Sequence, residues 1–135
     1  MITSLDHIAI AVPDLQKAIT RFSEDLGLNF NGQEKVHSSK TEVAFFPIKG
    51  TQIELVHPIN HEGPIQHFIE KYGAGLHHLC FQSDNLDEDI KKLRSKGYHF
   101  TSEEPSLGAH NTRVIFIHPK CFDGVLVELN EVLAD

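Results

Sequence analysis

The sequence is poor in cysteine, in positive charge and in long apolar runs. Only two of its 135 residues are cysteine and they form no CxxC pair, which excludes a disulfide framework and a thiolate metal site. The 12 Lys and Arg residues against 19 Asp and Glu give a net charge of −7, which argues against nucleic acid as a partner. The longest apolar run, Ile8 to Val12, is far shorter than the roughly 20 residues that span a bilayer. With no export signal at the N-terminus, we expect no membrane association and a cytoplasmic location.

Periodicity predicts alternating strands and helices within one domain, residues 1–135. Alternating apolar residues predict strands at 5–12, 41–48, 51–56, 76–82, 112–118 and 125–129, and a short strand near Tyr98. Helical spacing predicts helices from Leu15 to Gly27, about 64–71, and 86–96. The composition, 40% hydrophobic and 23% charged, is that of an ordinary globular chain.

The two halves of the chain repeat each other. His7 matches His78 at an offset of 71 residues, and Val43–Phe46 matches Val114–Ile117 at the same offset. The last strand of each half, 50–55 and 124–129, matches at an offset of 74 because the second hairpin turn is three residues longer. The sequence therefore predicts an α+β fold with two tandem βαβββ modules, about 1–60 and 75–135, forming one paired-sheet metal-binding cleft.

The repeat superimposes His7 on His78 and Glu54 on Glu128. A single His or Glu in a strand is usually structural, but four such groups on apolar strands would be costly to bury unless a cation compensated for them. Imidazole and carboxylate ligands suit one divalent ion such as Co, Zn, Ni or Mn. Glu42, on the neighbouring strand, is expected to look into the same cavity.

Four other residues keep two interpretations each. Cys80 shares a face with His78 and is either a small buried residue or a border of the cavity. The loop that carries His110 and Arg113 is either a surface loop or a segment that closes over substrate. Lys120 either meets an anionic group or lies along the surface.

Several segments resemble the vicinal oxygen chelate superfamily and, within it, the methylmalonyl-CoA epimerase family. These are LDHIAIAVPDL, TQIELVHP, PIQHFIEKYGAGLHHLCF, VIFIHPK and GVLVEL, which together cover nearly the whole chain. The resemblance implies the paired βαβββ fold, a homodimer, and a catalytic carboxylate at Glu42. It also implies four metal ligands, namely His7, Glu54, His78 and Glu128.

The implied activity is metal-dependent epimerisation of methylmalonyl-CoA. A base removes the proton between two carbonyl groups, the metal stabilises the resulting enediolate, and reprotonation on the other face inverts the centre. Glu42 is the expected first base, and Glu128 is the expected partner on the opposite face. Three alternatives stay open: a lactoylglutathione lyase of the glyoxalase I type, a non-catalytic small-molecule-binding protein, and, less consistent with four ligands, a dioxygenase.

Overall fold

The computed structural model describes residues 1–134 and has the expected α+β composition. The first module comprises β1 (Ile2–Ala11), α1 (Leu15–Thr20), β2 (Gln33–Val36), β3 (Thr41–Ile48) and β4 (Thr51–Pro58). Helix α2 (Pro64–Tyr72) follows. The second module comprises β5 (Gly75–Ser83), α3 (Leu86–Ser95), β6 (Ser106–Gly108), β7 (Thr112–Ile117) and β8 (Val127–Val132). Both modules have the predicted βαβββ order.

The chain forms two compact units, and their boundary falls inside two strands. One unit contains His7–His77, and the other contains Met1–Asp6 together with His78–Asp135. The first residues of β1 belong to the second unit because they are bonded there: Thr3 Oγ1 donates to Gln82 O at 3.3 Å, and the amino group of Met1 pairs with Asp84 at 2.9 Å.

The strands of each module follow the same order. In the first the order is β2-β3-β4-β1, and in the second it is β6-β7-β8-β5. The first and last strands of each module pair in parallel and the other neighbours are antiparallel. Ala9 lies opposite Glu54, and Cys80 lies opposite Glu128. These pairs differ by 71 and 74 residues, the offsets found in the sequence, so the predicted repeat is confirmed.

One helix covers one face of each sheet. Asp14 caps α1 by accepting from Lys17 N at 3.0 Å, and the apolar side of α1 packs on Ala44, Phe46 and Leu55. Asn85 caps α3 by accepting from Glu88 N at 3.2 Å, and α3 packs on its own sheet in the same way. No helix among residues 1–134 is long and apolar enough to cross a membrane. Each sheet therefore keeps a second face that its own helix does not cover.

The positions of two short strands, β2 and β6, were not predicted, and within residues 1–134 the short strand expected near Tyr98 does not form. They have four and three residues, lie at the edges of their sheets, and pair only with β3 and β7. Such edge strands are held by backbone hydrogen bonds on one side, and their sequences QEKV and SLG carry little apolar alternation. The first helix also ends its regular α-helical part earlier than predicted, at Thr20, and continues as a π turn to Asp25.

Charged side chains attach α3 to the strands of the second unit. Glu131 Oε1 accepts from Leu86 N at the start of α3, at 2.6 Å. Arg113 Nη2 donates to Asp87 Oδ1 at 2.9 Å, which lowers the pKa of Asp87 and raises that of Arg113. Arg113 is thus bonded on the helix-covered face, and this contact gives it a structural role.

The contact between Glu131 and the helix start is testable. Glu131→Ala should lower the free energy of unfolding by about 1 kcal/mol, because it removes the acceptor of a helix-terminal N–H. Glu131→Gln keeps an oxygen acceptor and should cost less. Urea unfolding of both variants checks this, and equal losses would contradict it.

Candidate active site

In the first unit, His7 and Glu54 form a buried pair. His7 Nδ1 lies 3.1 Å from Glu54 Oε2, and the two residues are 5% and 6% exposed. Gln52 Nε2 donates to the same carboxylate oxygen at 3.1 Å. An imidazole and an amide therefore flank one buried carboxylate, which is the arrangement that such a charge requires.

The register of the strands puts this pair on the sheet face opposite α1. Ala9 is directly opposite Glu54 on β1, and Phe45 is opposite it on β3. Side chains alternate along a strand, so His7 shares its face with Ala9 and Ala11, which are both fully buried. Their small side chains therefore stand beside the imidazole on this face.

The second unit contains the equivalent pair, His78 and Glu128. His78 Nε2 lies 3.0 Å from Glu128 Oε1, and the residues are 8% and 6% exposed. The imidazole stands edge-on to Phe116, with ring centroids 5.2 Å apart, and Phe116 is the residue opposite Glu128 on β7. Each unit therefore presents one buried imidazole and one buried carboxylate on the face of its strands opposite its helix. This face is called the open face.

Glu42 does not lie on that face, and this part of the sequence-based interpretation is wrong. Its partner in the register of β3 and β4 is His57, and its side chain accepts from Gln33 Nε2 at 3.2 Å. Glu42 shares its face with Ala44 and Phe46, which pack under α1. Phe45 of β3 lies opposite Glu54 and shares its face. Because side chains alternate along a strand, Glu42 points to the other face of β3, which the helix covers.

Other candidates receive a definite place. Cys80 is fully buried and lies opposite Glu128, a position that agrees with both of its interpretations. His110 has a left-handed backbone, with φ of 57°, in the tight turn between β6 and β7. Lys120 lies in a short 3₁₀ turn after β7, where its backbone N–H donates to His118 Nδ1 at 3.1 Å.

Two polar residues on the open faces were not singled out from the sequence. Gln52 contacts Glu54, as described above, and Asn130 is buried two residues after Glu128. The period-two pattern could have indicated both, because each stands two positions from a buried Glu on the same strand. Their amides were not informative as residue types, since Gln and Asn are common in exposed strands as well.

The chain is similar to proteins of known family and activity. The model of the glyoxalase/bleomycin resistance protein/dioxygenase superfamily matches residues 6–116. The mitochondrial methylmalonyl-CoA epimerase of Homo sapiens is 40% identical over 128 residues, which cover 94% of this chain and 73% of the human protein. An ethylmalonyl-CoA/methylmalonyl-CoA epimerase of Cereibacter sphaeroides is 39% identical over 134 residues, covering 98% of this chain and all of its own length.

Solved structures give the same result. Methylmalonyl-CoA epimerase from Mycobacterium tuberculosis superposes with a TM-score of 0.92 at 35% identity, covering 98% of this chain and 90% of that one. A Streptomyces coelicolor methylmalonyl-CoA epimerase variant in complex with 2-nitronate-propionyl-CoA superposes with a TM-score of 0.93 at 28% identity, covering 99% of this chain and 100% of that one.

Proposed function

The chain belongs to the glyoxalase/bleomycin resistance protein/dioxygenase superfamily, and we propose that it is an isomerase that epimerises methylmalonyl-CoA. The observation that carries this proposal is the buried His–Glu pair that recurs in both modules, in a chain about 40% identical to methylmalonyl-CoA epimerases over nearly its whole length. The substrate is an acyl-CoA thioester, the class of ligand bound in the Streptomyces coelicolor complex.

The donor set suits a divalent metal ion. We assign His7, Glu54, His78 and Glu128 as its ligands, because imidazole and carboxylate are ligands that Co, Zn, Ni and Mn accept. One observation supports the assignment: all four side chains are more than nine-tenths buried. A bound cation would stabilise the two buried carboxylates beyond what their neutral partners supply. A bound ion of this kind supplies Lewis acidity, which makes the proton beside a coordinated thioester carbonyl more acidic.

Glu128 is the residue that we assign to proton transfer. It is a carboxylate on the open face of the second unit, and its Oε1 lies 3.0 Å from His78 Nε2. A carboxylate can remove the α-proton from one face of the α-carbon, and inversion then requires a second donor that delivers a proton to the other face. Arg113, the repeat equivalent of Glu42, stays charged and cannot exchange protons. Glu42 is not assigned to this step because its side chain lies on the other face of its sheet.

Turnover is the direct test of the proposed function. In D₂O the purified protein, loaded with Co²⁺, should exchange the α-proton of (2R)- and (2S)-methylmalonyl-CoA and interconvert the two forms. The hemithioacetal of glutathione and methylglyoxal serves as the counter-substrate, and it should not be converted. Conversion of the hemithioacetal alone would identify a lyase of the glyoxalase I type instead.

Light scattering on the same sample tests the expected homodimer, which a monomeric mass would contradict.

Removal of a ligand should remove the metal. His7→Ala, His78→Ala and Glu128→Ala should each lose most of the bound ion and nearly all exchange activity, because three ligands leave an open and wetter site. His67→Ala is the matched control. Because His67 is exposed, this variant should keep the bound ion and the exchange activity. Atomic spectroscopy after dialysis measures the content, and full retention in all three variants would refute the ligand assignment.

A second prediction separates proton transfer from metal binding by one chemical change at three positions. Glu128→Gln should lower kcat for exchange by roughly 10²- to 10⁴-fold, the usual cost of a lost general base. Glu54→Gln should mainly shift metal affinity, because an amide oxygen can still bind the ion. Glu42→Gln should leave kcat within about twofold, as expected for a surface change away from the chemistry. Metal content is measured in the same samples. A large loss of kcat in Glu42→Gln, with the metal retained, would identify Glu42 as the base.

A further inference from the structure

Asn130 carries a buried amide that the proposed chemistry does not use. The residue is 4% exposed, and its Oδ1 has no hydrogen-bond partner among residues 1–134. Most buried polar atoms in folded proteins are paired, because an unpaired one keeps the full cost of its lost hydration. The unpaired Oδ1 of Asn130 therefore costs stability and calls for an explanation.

The amide lies on the open face of the second unit, next to the proposed site. Asn130 is two residues beyond Glu128 on β8, so the two side chains share a face. In the sheet Asn130 lies between Gln82 of β5 and Val114 of β7. The unpaired group is thus a neighbour of Glu128 along its strand and is not part of the ion pairs under α3.

The repeat supplies an internal comparison. The equivalent of Asn130 in the first module is Val56, which lies between Ala11 and Val43. Val56 is 3% exposed, about as buried as Asn130, and Val43 is itself the repeat equivalent of Val114. The same strand position is therefore filled by an apolar side chain in one module and by an amide in the other, so the strand itself does not require the amide.

The open face of the second unit offers few other hydrogen-bond donors. Thr112, two positions along β7 from Val114, already donates its hydroxyl hydrogen to Ala109 O at 2.8 Å. The oxygen of the Gln82 amide accepts from Ser4 Oγ at 3.3 Å, which draws that side chain towards β1. The strand positions on this face carry no Lys or Arg, although Ser106 adds a neutral hydroxyl. They are Ser106, Gly108, Thr112, Val114, Phe116, Glu128, Asn130, Val132, His78, Cys80 and Gln82. Apart from the proposed metal ion, this face therefore offers an anionic ligand only neutral side-chain donors.

We propose that Asn130 donates a side-chain N–H to the free carboxylate of the substrate and so selects acyl thioesters that carry a second carboxyl group. Rotation about the bond between Cβ and Cγ exchanges the amide oxygen and nitrogen, so the position that holds Oδ1 can present N–H to a carboxylate. A neutral donor serves here because it adds no charge beside Glu128. The inference rests on the proposed function, since the carboxylate belongs to methylmalonyl-CoA.

The test compares a ligand with the carboxylate against one without it. The variant is Asn130→Val, which copies the first module and should fold. KM for methylmalonyl-CoA should rise roughly tenfold, the usual scale for a lost hydrogen bond to a charged group. The inhibition constant of propionyl-CoA, which lacks the carboxylate, should change less than about twofold. Asn130→Asp should raise KM further through repulsion, whereas Asn31→Asp, the same change at an exposed residue, should have no effect.

Stability gives an independent readout. Because the variant removes an unpaired buried polar atom, Asn130→Val should unfold at a temperature equal to or above that of the wild type, with unchanged metal content. If the amide were purely structural, Asn130→Val would unfold at a lower temperature and would bind methylmalonyl-CoA and propionyl-CoA equally less tightly. Equal weakening of both ligands, or no change in either, overturns the role of Asn130 alone. A wild-type protein without exchange activity overturns the proposed function and this inference with it.

Discussion

The need to compensate a buried carboxylate governs the arrangement of each sheet. Glu54 and Glu128 are more than nine-tenths buried on otherwise apolar strands, and a charge in that position destabilises a fold unless partners surround it. His7 and Gln52 contact Glu54, and His78 contacts Glu128. Beside these pairs lie the small side chains of Ala9 and Ala11 near His7 and the ring of Phe116 near His78.

The same constraint divides every strand between two environments. Residues of one parity pack under a helix, where Leu55 and Leu129 belong to the apolar cores. Residues of the other parity lie on the open face with the His–Glu pairs. A charged residue is therefore assigned to structure or to chemistry by its position in the alternation: Arg113 bonds Asp87 on the helix side, and Glu128 faces the other way.

Duplication explains why each module carries the same His–Glu pair, whereas other strand positions differ between the modules. The registers of β1 with β4 and of β5 with β8 are the same after the offsets of 71 and 74 residues. Within that frame Val56 and Asn130 occupy equivalent positions but differ in chemistry. In the proposed role of Asn130, this difference is what allows the second module to recognise the substrate carboxylate.

The sequence by itself determined the α+β class, the two βαβββ modules, the family and the identity of the recurring His and Glu residues. These follow from local periodicity and from self-similarity, both of which are properties of the chain. The tertiary structure decided which face each residue occupies and which groups it contacts. It shows that Glu42 lies on the helix-covered face and that the edge strands β2 and β6 are present. It also shows that Asn130 is buried without a partner for its oxygen. The physical reason is that a polar residue in a strand looks the same in sequence whether it is exposed, paired or buried, and only the register of the neighbouring strands distinguishes these cases.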